Sequence, residues 1–405
     1  MTIDLTDQQQ SAQAKFRTFV AETVSPYASQ WDREESTSPN AIAALAQQGY
    51  LGATLPTLYG GQAMDALTFG LLNEEIGRVC SSLRSLLTVH CMVSQALLRW
   101  GSRDQKEYWL PRLATGDTIA AFGLSEPNVG SDAQAVETTA VAVGDRIVLN
   151  GHKRWITYGQ VADLLLVFAQ WQGQMSAFLV ERSCPNLSIQ PMSGLLGVRA
   201  SMLAELRFED CVIPQANLVC RQGLGLSHVA STALDWGRYS VAWGCVGIAQ
   251  ACLDACLLYT SQRQQFGHYL KEHQLIQQMI TNMLVNVRAA RALCYQAAKL
   301  RVAGDSRSIM ETSIAKYFAS TAASQIANDA VQIHGGNGCS GDYPVERYFR
   351  DAKIMEIIEG STQIQQMTLA AYGYQDSVAQ QDTSSKSHGK PADPVLSTAT
   401  LRSPS

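Results

Sequence analysis

The chain reads as an α+β protein, mostly α, in the order helices, strands, helical bundle. Three observations predict this. Apolar residues recur at helical spacing near both ends of the chain. Between residues 121 and 223 the pattern becomes short β-rich runs split by Gly, Pro, Asn and Asp. Helical and strand segments do not alternate, which disfavours a doubly wound parallel sheet. A chain of 405 residues is also too long for one simple core, so several structural units are expected. The expected boundaries are 1–120 (N-terminal helices), 121–223 (β-domain), 224–375 (C-terminal bundle) and 376–405 (tail).

Each segment has its own signals. Thr6 and Gln9 have the spacing of a capping box, and Phe16, Phe19, Val20 and Val24 then share one helical face up to Pro26. The run SSLRSLLTVHCMVSQALLRWG (81–101) is apolar enough for a buried helix. DRIVLNG, DLLLVFAQ, SAFLVE, LSIQPM and AELRFEDCVIP read as strands of a small antiparallel sandwich or barrel. Ile276, Met279, Ile280, Met283, Leu284 and Val287 form a regular stripe, expected to face a bundle core. Residues 376–405 are rich in Ser, Gln, Thr and Pro, and are expected to be disordered or ordered only against a neighbour.

Composition excludes some functions. Hydrophobic content of 46% with 16% charged residues supports a large core. A net charge of −4 without a basic stripe argues against nucleic acid. No apolar run reaches the ~18 residues of a membrane span. The first residues, MTIDLTDQQQ, do not resemble a secretory signal. The ten cysteines lack metal-ligand spacing and read as small buried hydrophobes in a reducing compartment, with the cytoplasm as the expected location. No metal site is expected. Gly336, Gly338 and Gly341 spell GxGxxG, but the residues before them look helical. They are therefore expected to end a helix rather than to form a dinucleotide fingerprint.

Several runs carry chemistry. FGLSEPNVGSD (122–132) places Ser125 and Ser131 near Gly130 in a loop whose hydroxyls and N–H groups can hold polar ligand edges. NGHKRWIT (150–157) offers the flat face of Trp155 and, two residues on, the Thr157 hydroxyl, on the same side of a strand. RDAKIMEIIEGSTQIQQ (350–366) carries Glu359 after Ile357 and Ile358, an apolar setting that would make a carboxylate more basic. Further runs are RQQFGHYLKEHQ (263–274), DAVQIHGGNG (329–338) and LDWGRYSVAWG (234–244).

Together these runs resemble the flavin-dependent acyl-CoA dehydrogenase family, over about residues 5–374. The resemblance implies that family's fold, with helical N-terminal domain, middle antiparallel β-domain and C-terminal four-helix bundle. It implies FAD as cofactor and Glu359 as the catalytic base that removes a proton next to a thioester carbonyl. By resemblance, Leu124, Ser125, Gly130, Ser131, Trp155 and Thr157 lie on the flavin side, with Ser131 between flavin and substrate. Arg263, Phe266 and Gln274 would reach the FAD of a partner subunit, with Gln332 and Gly336 on the adenine side. Ser361 and Gln363 match FAD-contacting positions. Asp235, Arg238, Ile358 and Gly360 match substrate-side or catalytic-loop positions. Some members carry the base just before the Arg of the LDWGR helix; Gly237 stands there in this chain.

VCSSLRSLLT, GRYSVAWGCVGI and RDAKIMEIIEG resemble the branch acting on carrier-protein-tethered acyl groups in polyketide and peptide pathways, as in making methoxymalonyl extender units. Ile358 replaces the family's usual Tyr, and Leu203 stands where fatty-acid enzymes often have a hydroxylated residue. The leading expectation is therefore a carrier-protein acyl dehydrogenase, with Arg99, Arg103, Lys106 and Arg112 as a candidate docking patch. The alternative is an acyl-CoA dehydrogenase of fatty-acid or amino-acid catabolism. A flavin monooxygenase or a non-catalytic assembly protein on the same scaffold fits less well, given Glu359 and the intact flavin-facing set. An electron-transfer flavoprotein or oxygen is the expected electron acceptor, and a homodimer or homotetramer the expected assembly.

Overall fold

The computed structural model describes residues 5–387. The first helix, α1 (Asp7–Phe19), starts at the capping box: Thr6 Oγ1 accepts from the Gln9 N–H, and Gln9 Oε1 accepts from the Thr6 N–H. Phe16, Phe19, Val20 and Val24 are buried together. Then come α2 (Ala28–Glu34), α3 (Pro39–Gln47), α4 (Ala66–Val79), α5 (Ser81–Trp100) and α6 (Arg103–Thr115). All of α5 from Ser81 to Leu97 is buried, although it contains Arg84 and His90.

The middle segment forms β1 (Ala120–Gly123), β2 (Thr139–Val143), β3 (Arg146–Ile156), β4 (Leu164–Trp171), β5 (Gln174–Glu181), β6 (Leu187–Pro191), β7 (Ala204–Pro214) and β8 (Leu218–Val219). They make one sheet in the order β6-β7-β3-β2-β4-β5-β8, with β1 joined to β4. Most pairings are antiparallel, but β4 runs parallel to both β1 and β2. That departs from the all-antiparallel expectation. The chain leaves β1 through a long crossover instead of a hairpin, and only such a connection allows parallel neighbours. In β4, Leu164, Leu166 and Phe168 enter the core shared with α5, while Leu165, Val167 and Ala169 enter the core within the β-domain. A strand buried on both faces reads as the continuous apolar run seen here.

The C-terminal segment contains α7 (Ser231–Gln262), a hairpin of β9 (Gln264–Gln265) and β10 (His268–Tyr269), α8 (Gln274–Val302), α9 (Ser308–His334), α10 (Val345–Met355) and α11 (Thr362–Ser387). The long helices α7, α8, α9 and α11 form the bundle, and α4 and α5 pack on α7, so N- and C-terminal helices share one apolar core. The helix within Gly225–Gln262 is, by length and composition alone, apolar enough to cross a membrane, and 72% of its most apolar window is buried inside this core.

On α8 the buried line is Met283, Val287, Ala290, Cys294, Ala297 and Ala298. Leu284, expected in the stripe, is 40% exposed because it lies about 100° round the helix from Met283. The helix α11 runs to Ser387, past the expected boundary at 375. No Gly or Pro lies between Gly373 and Gly389 to stop it. The rest of the expected tail lies outside the described residues. The GxGxxG glycines follow α9, which ends at His334 with Gly335 at φ 59°.

One loop joins all three segments. The Val198 N–H donates to Asp351 Oδ1 at 2.6 Å, and Arg350 bonds the Leu196 carbonyl and Asp32. Arg199 pairs with Glu35. Gly197 passes so close to α10 that a Cβ there would lie 2.4 Å from the Arg350 carbonyl oxygen. This junction fixes α10, which leads into the Glu359 turn.

Gly197→Ala is therefore expected to cost about 2 kcal/mol or more of stability, since rigid backbone must move. Thermal denaturation of the purified variant checks this; an unchanged melting point would contradict the close approach.

Candidate active site

After α10 the chain makes a turn that places Glu359 and Gly360 in left-handed backbone, with φ 56° and 92°. The first is strained for a residue with a Cβ. Side chains from three helices hold it. Arg238 Nε of α7 and Gln365 Nε2 of α11 each donate to the Glu359 carbonyl at 3.2 Å. Lys316 Nζ of α9 donates to the Gly360 carbonyl at 2.8 Å. The Glu359 N–H finds no acceptor among the described residues.

The carboxylate points inward against α7 and α5. A Cβ on Gly237 would lie 2.3 Å from Glu359 Oε2 and 2.9 Å from Met92 Sδ, so the missing side chain is the seat of the carboxylate. Oε2 is buried without a partner. Burial pushes the Glu359 pKa up to about 7, against the pull of Arg238, Lys316 and Arg84. Desolvation brings Lys316 down to about 8. A carboxyl group near neutrality is suited to taking a weakly acidic proton.

A second constellation lies on the β-domain. Lys153 Nζ donates to Glu126 Oε1 at 2.6 Å and to the Leu124 carbonyl at 3.1 Å, and the ion pair is almost wholly buried. Glu126 also accepts from the N–H groups of Glu137 and Thr138. The Ser125 hydroxyl and carbonyl bond the Arg154 carbonyl and N–H respectively. This ties the 124–126 loop to the end of β3 and leaves Leu124 and Ser125 half-buried. Trp155 sits in a bulge of the β3–β7 pairing at φ 66° and is 48% exposed. A strained backbone that presents an indole face is a platform for a flat ring. Gly130 and Ser131, a few residues after the 124–126 loop, are exposed, and a Cβ at Gly130 would meet nothing. The donor set and open indole fit a flavin.

The other expected residues divide. Arg263 and Phe266 lie on the β9–β10 hairpin and Gln274 opens α8; all are exposed, Phe266 at 93%. The Arg263 guanidinium has no partner among the described residues. Gln332 and Gly336 lie on the exposed end of α9 and the turn after it. No hydrogen bond or ring contact among the described residues joins these five to Trp155 or Glu359. Ser361 Oγ accepts from the Ile364 N–H at the start of α11, and Gln363 is exposed.

Three expectations need correction. Ile357 is 56% exposed and does not shield Glu359; Met92, Gly237 and half-buried Ile358 do, because the turn swings Ile357 outward. Asp235 is occupied by Arg301 at 2.8 Å, within a cluster in which Arg301 stacks on Trp236 and Tyr239. β3 ends at Ile156, so Thr157 follows the strand rather than lying in it, the bulge having broken the alternation. Reasoning from sequence missed Arg84, Lys316, Gln365 and the Lys153–Glu126 pair. An Arg among the apolar residues that open 81–101 was the available signal for the first.

Residues 6–117, 121–211 and 224–373 match the N-terminal, middle and C-terminal domain models of acyl-CoA dehydrogenase. The chain is 36% identical over 376 residues to the short-chain specific acyl-CoA dehydrogenase of Clostridium acetobutylicum, covering 91% of this chain and 99% of that one. It superposes on butyryl-CoA dehydrogenase from Megasphaera elsdenii with TM-score 0.88 and 33% identity, over 92% and 99% of the two chains. It also matches an enzyme for biosynthesis of the methoxymalonyl extender unit of a polyketide immunosuppressant, with TM-score 0.82 and 31% identity over 90% and 99%.

Gly237→Ala is expected to displace the Glu359 carboxylate and slow turnover by at least ~10-fold with flavin content unchanged, since small misplacements at a reacting centre are costly. Parallel measurement of flavin absorbance and rate checks it. Lys316→Met removes a cation that favours the ionised carboxylate. The Glu359 pKa should then rise further, moving the acid limb of the rate profile upward by roughly 0.5–1 pH unit. An unmoved limb would separate Lys316 from the titration.

Proposed function

The chain belongs to the acyl-CoA dehydrogenase family, FAD-dependent oxidoreductases acting on the CH–CH group of acyl thioesters, and we propose on that premise that Glu359 is its base and a short acyl-CoA its substrate. The observation that carries this reading is the Glu359 carboxylate: it is desolvated, seated on Gly237, and held in a strained turn by three helices. Such a group accepts the Cα proton of a thioester. The electron pair left at Cα closes a Cα=Cβ bond as hydride leaves Cβ. The unpartnered Glu359 N–H is free to donate to the thioester carbonyl and stabilise the developing enolate. Gly360 lets the turn close, and Ile358 helps to exclude water.

FAD, when bound, supplies the acceptor for the Cβ hydride. Leu124, Ser125, Gly130, Ser131, Trp155 and Thr157 would hold its ring system, with Ser361 and Gln363 near the base. Arg263, Phe266, Gln274, Gln332 and Gly336 would serve the cofactor of a second copy. The free Arg263 guanidinium and exposed Phe266, with Leu257, Leu258 and Leu275 also exposed, support a homodimer or homotetramer. An electron-transfer flavoprotein or oxygen would then reoxidise the cofactor.

The narrower expectation, a carrier-protein-tethered acyl group, is the second reading. The methoxymalonyl enzyme favours it. The candidate basic patch does not: Arg103 pairs with Glu107, Arg112 lies over Tyr108, and Arg99 lies over Trp100. The relatives named for CoA substrates support the acyl-CoA reading better.

Anaerobic addition of matched short acyl-CoA and acyl-carrier-protein substrates tests both. Flavin bleaching by acyl-CoA is expected; bleaching only by the tethered form would replace the first reading with the second. Glu359→Gln should retain FAD and lose at least ~3 kcal/mol of transition-state stabilisation, roughly a hundredfold or more in rate. Near-normal turnover would remove Glu359 from the mechanism.

A further inference from the structure

Cys184 and Cys211 are a pair of thiols that the reaction above does not use. Cys184 follows β5, in the turn that leads into β6, and Cys211 lies on β7. Their sulfurs are 3.3 Å apart. Cys211 is fully buried in the β-domain core, whereas Cys184 is half-buried at the edge of that core. Cys211 Sγ donates to the Pro185 carbonyl at 3.1 Å, which holds it against the turn that carries Cys184. The sulfurs already face each other, so side-chain rotation without backbone movement can bring them to bonding geometry.

The other cysteines are placed differently. Cys80, Cys91, Cys245, Cys252, Cys256 and Cys294 lie in the helical core and pack as small hydrophobes. Cys339 is exposed and Cys220 half-buried. Among the described residues, none of these eight is hydrogen-bonded to a second thiol. At 184–211 an accessible thiol stands in front of a buried one, the arrangement of a reacting and a resolving cysteine. Burial, together with the neighbouring sulfur, pushes the Cys211 thiol up to about 12. It is therefore the slower nucleophile, and its standing contact with Cys184 is what lets it react.

The position of the pair gives a bond between them a consequence. β6 is the edge strand of the sheet and is held by one ladder, from Leu187 opposite Phe208 to Pro191 opposite Ala204. Past one end of that ladder lies the loop around Gly197, which bonds Asp351, Arg350 and Glu35. Past the other end lie Cys184 and Cys211. There Asn186 and Asp210, in left-handed backbone with φ 65° and 54°, interrupt the pairing. An edge strand held on one side opens from its free end. A bond between the two sulfurs would close a loop that contains β6 and the whole junction to α10.

We propose that Cys184 is a site of reversible oxidation by peroxide, and that Cys211 resolves it as a Cys184–Cys211 disulfide. The Cys184 thiolate attacks one oxygen of hydrogen peroxide and breaks the O–O bond, leaving a sulfenic acid and one water. The Cys211 sulfur then displaces the hydroxyl from Cys184 sulfur as a second water. Two thiols have lost two electrons and two protons, and peroxide has gained them. The new bond fastens the free end of β6 and stiffens the junction that positions α10. A thiol reductant reopens it by exchange. In a reducing compartment the dithiol is the resting form. Cys211 also spares Cys184 from irreversible oxidation, because the sulfenic acid is consumed before it gains more oxygen.

The test uses the full-length holoenzyme, fully reduced and then exposed to a small excess of hydrogen peroxide. Peptide mapping without reductant should recover a cross-link between Cys184 and Cys211. Two of the ten thiols should disappear on titration after denaturation and return with dithiothreitol. The oxidised form should melt about 3 °C or more above the reduced form, since the closed loop restricts the unfolded chain. Cys184→Ser should abolish both the cross-link and the shift, and leave Cys211 unmodified. Cys211→Ser should leave Cys184 to gain two or three oxygens in place of the bridge. If that buried substitution prevents folding, the half-exposed Cys184→Ser still decides. Cross-links that run instead through Cys220 or Cys339, or no cross-link at all, would overturn the proposal. So would a Cys184→Ser variant that loses two thiols as the native protein does, or a bridged form that melts no higher than the reduced one.

Discussion

The left-handed turn at Glu359–Gly360 is the constraint on which the rest of the site depends. Glu359 has a Cβ, so this backbone costs energy and persists only where its surroundings over-determine it. Here three helices do so, through Arg238, Lys316 and Gln365 on two successive carbonyls. Bonding both carbonyls leaves the Glu359 N–H unused and turns the side chain towards Gly237. The proposed base, its seat and an unused backbone donor therefore follow from one local geometry. That geometry exists only when α7, α9, α10 and α11 are assembled.

The electrostatics of the same turn are a balance. Burial makes ionised Glu359 unfavourable, and three cations make it favourable. Burial alone would leave the carboxyl protonated and unable to accept a proton. Full neutralisation by ion pairing would leave a weak base. The cations act at a distance or through backbone carbonyls, not by pairing with Oε2, so the group stays near neutrality. Arg84 is the member of this set that bonds neither carbonyl of the turn.

The β-domain meets the same problem in another way. Its platform, Leu124 to Ser125 and Trp155, is a loop edge and a bulge, both weak elements alone. The buried Lys153–Glu126 pair joins them by accepting or donating to backbone on both sides. Breaking such a pair leaves an uncompensated buried charge, which makes the joint stiff. The loop around Gly197 then locks this domain to α10, so the platform and the catalytic turn belong to one framework.

Much of this was legible in the sequence because the signals are local. The capping box at Thr6, the strand runs, the buried helix at 81–101 and the segment around Glu359 depend on neighbours a few residues apart. Periodicity and turn chemistry report such neighbours directly. What only the tertiary structure decided involves partners distant in sequence. Lys316 meets Gly360, Arg301 takes Asp235, β4 runs parallel to β1, and Gly237 matters for the side chain it yields space to. Ile357 faces out because a turn, not a pattern, orients it. The sequence by itself determined the order of elements and the segment that carries the proposed base, since both are written in contiguous residues. Tertiary structure alone decided how basic that residue is and which charges surround it, because desolvation and Coulomb forces depend on distance in space rather than along the chain.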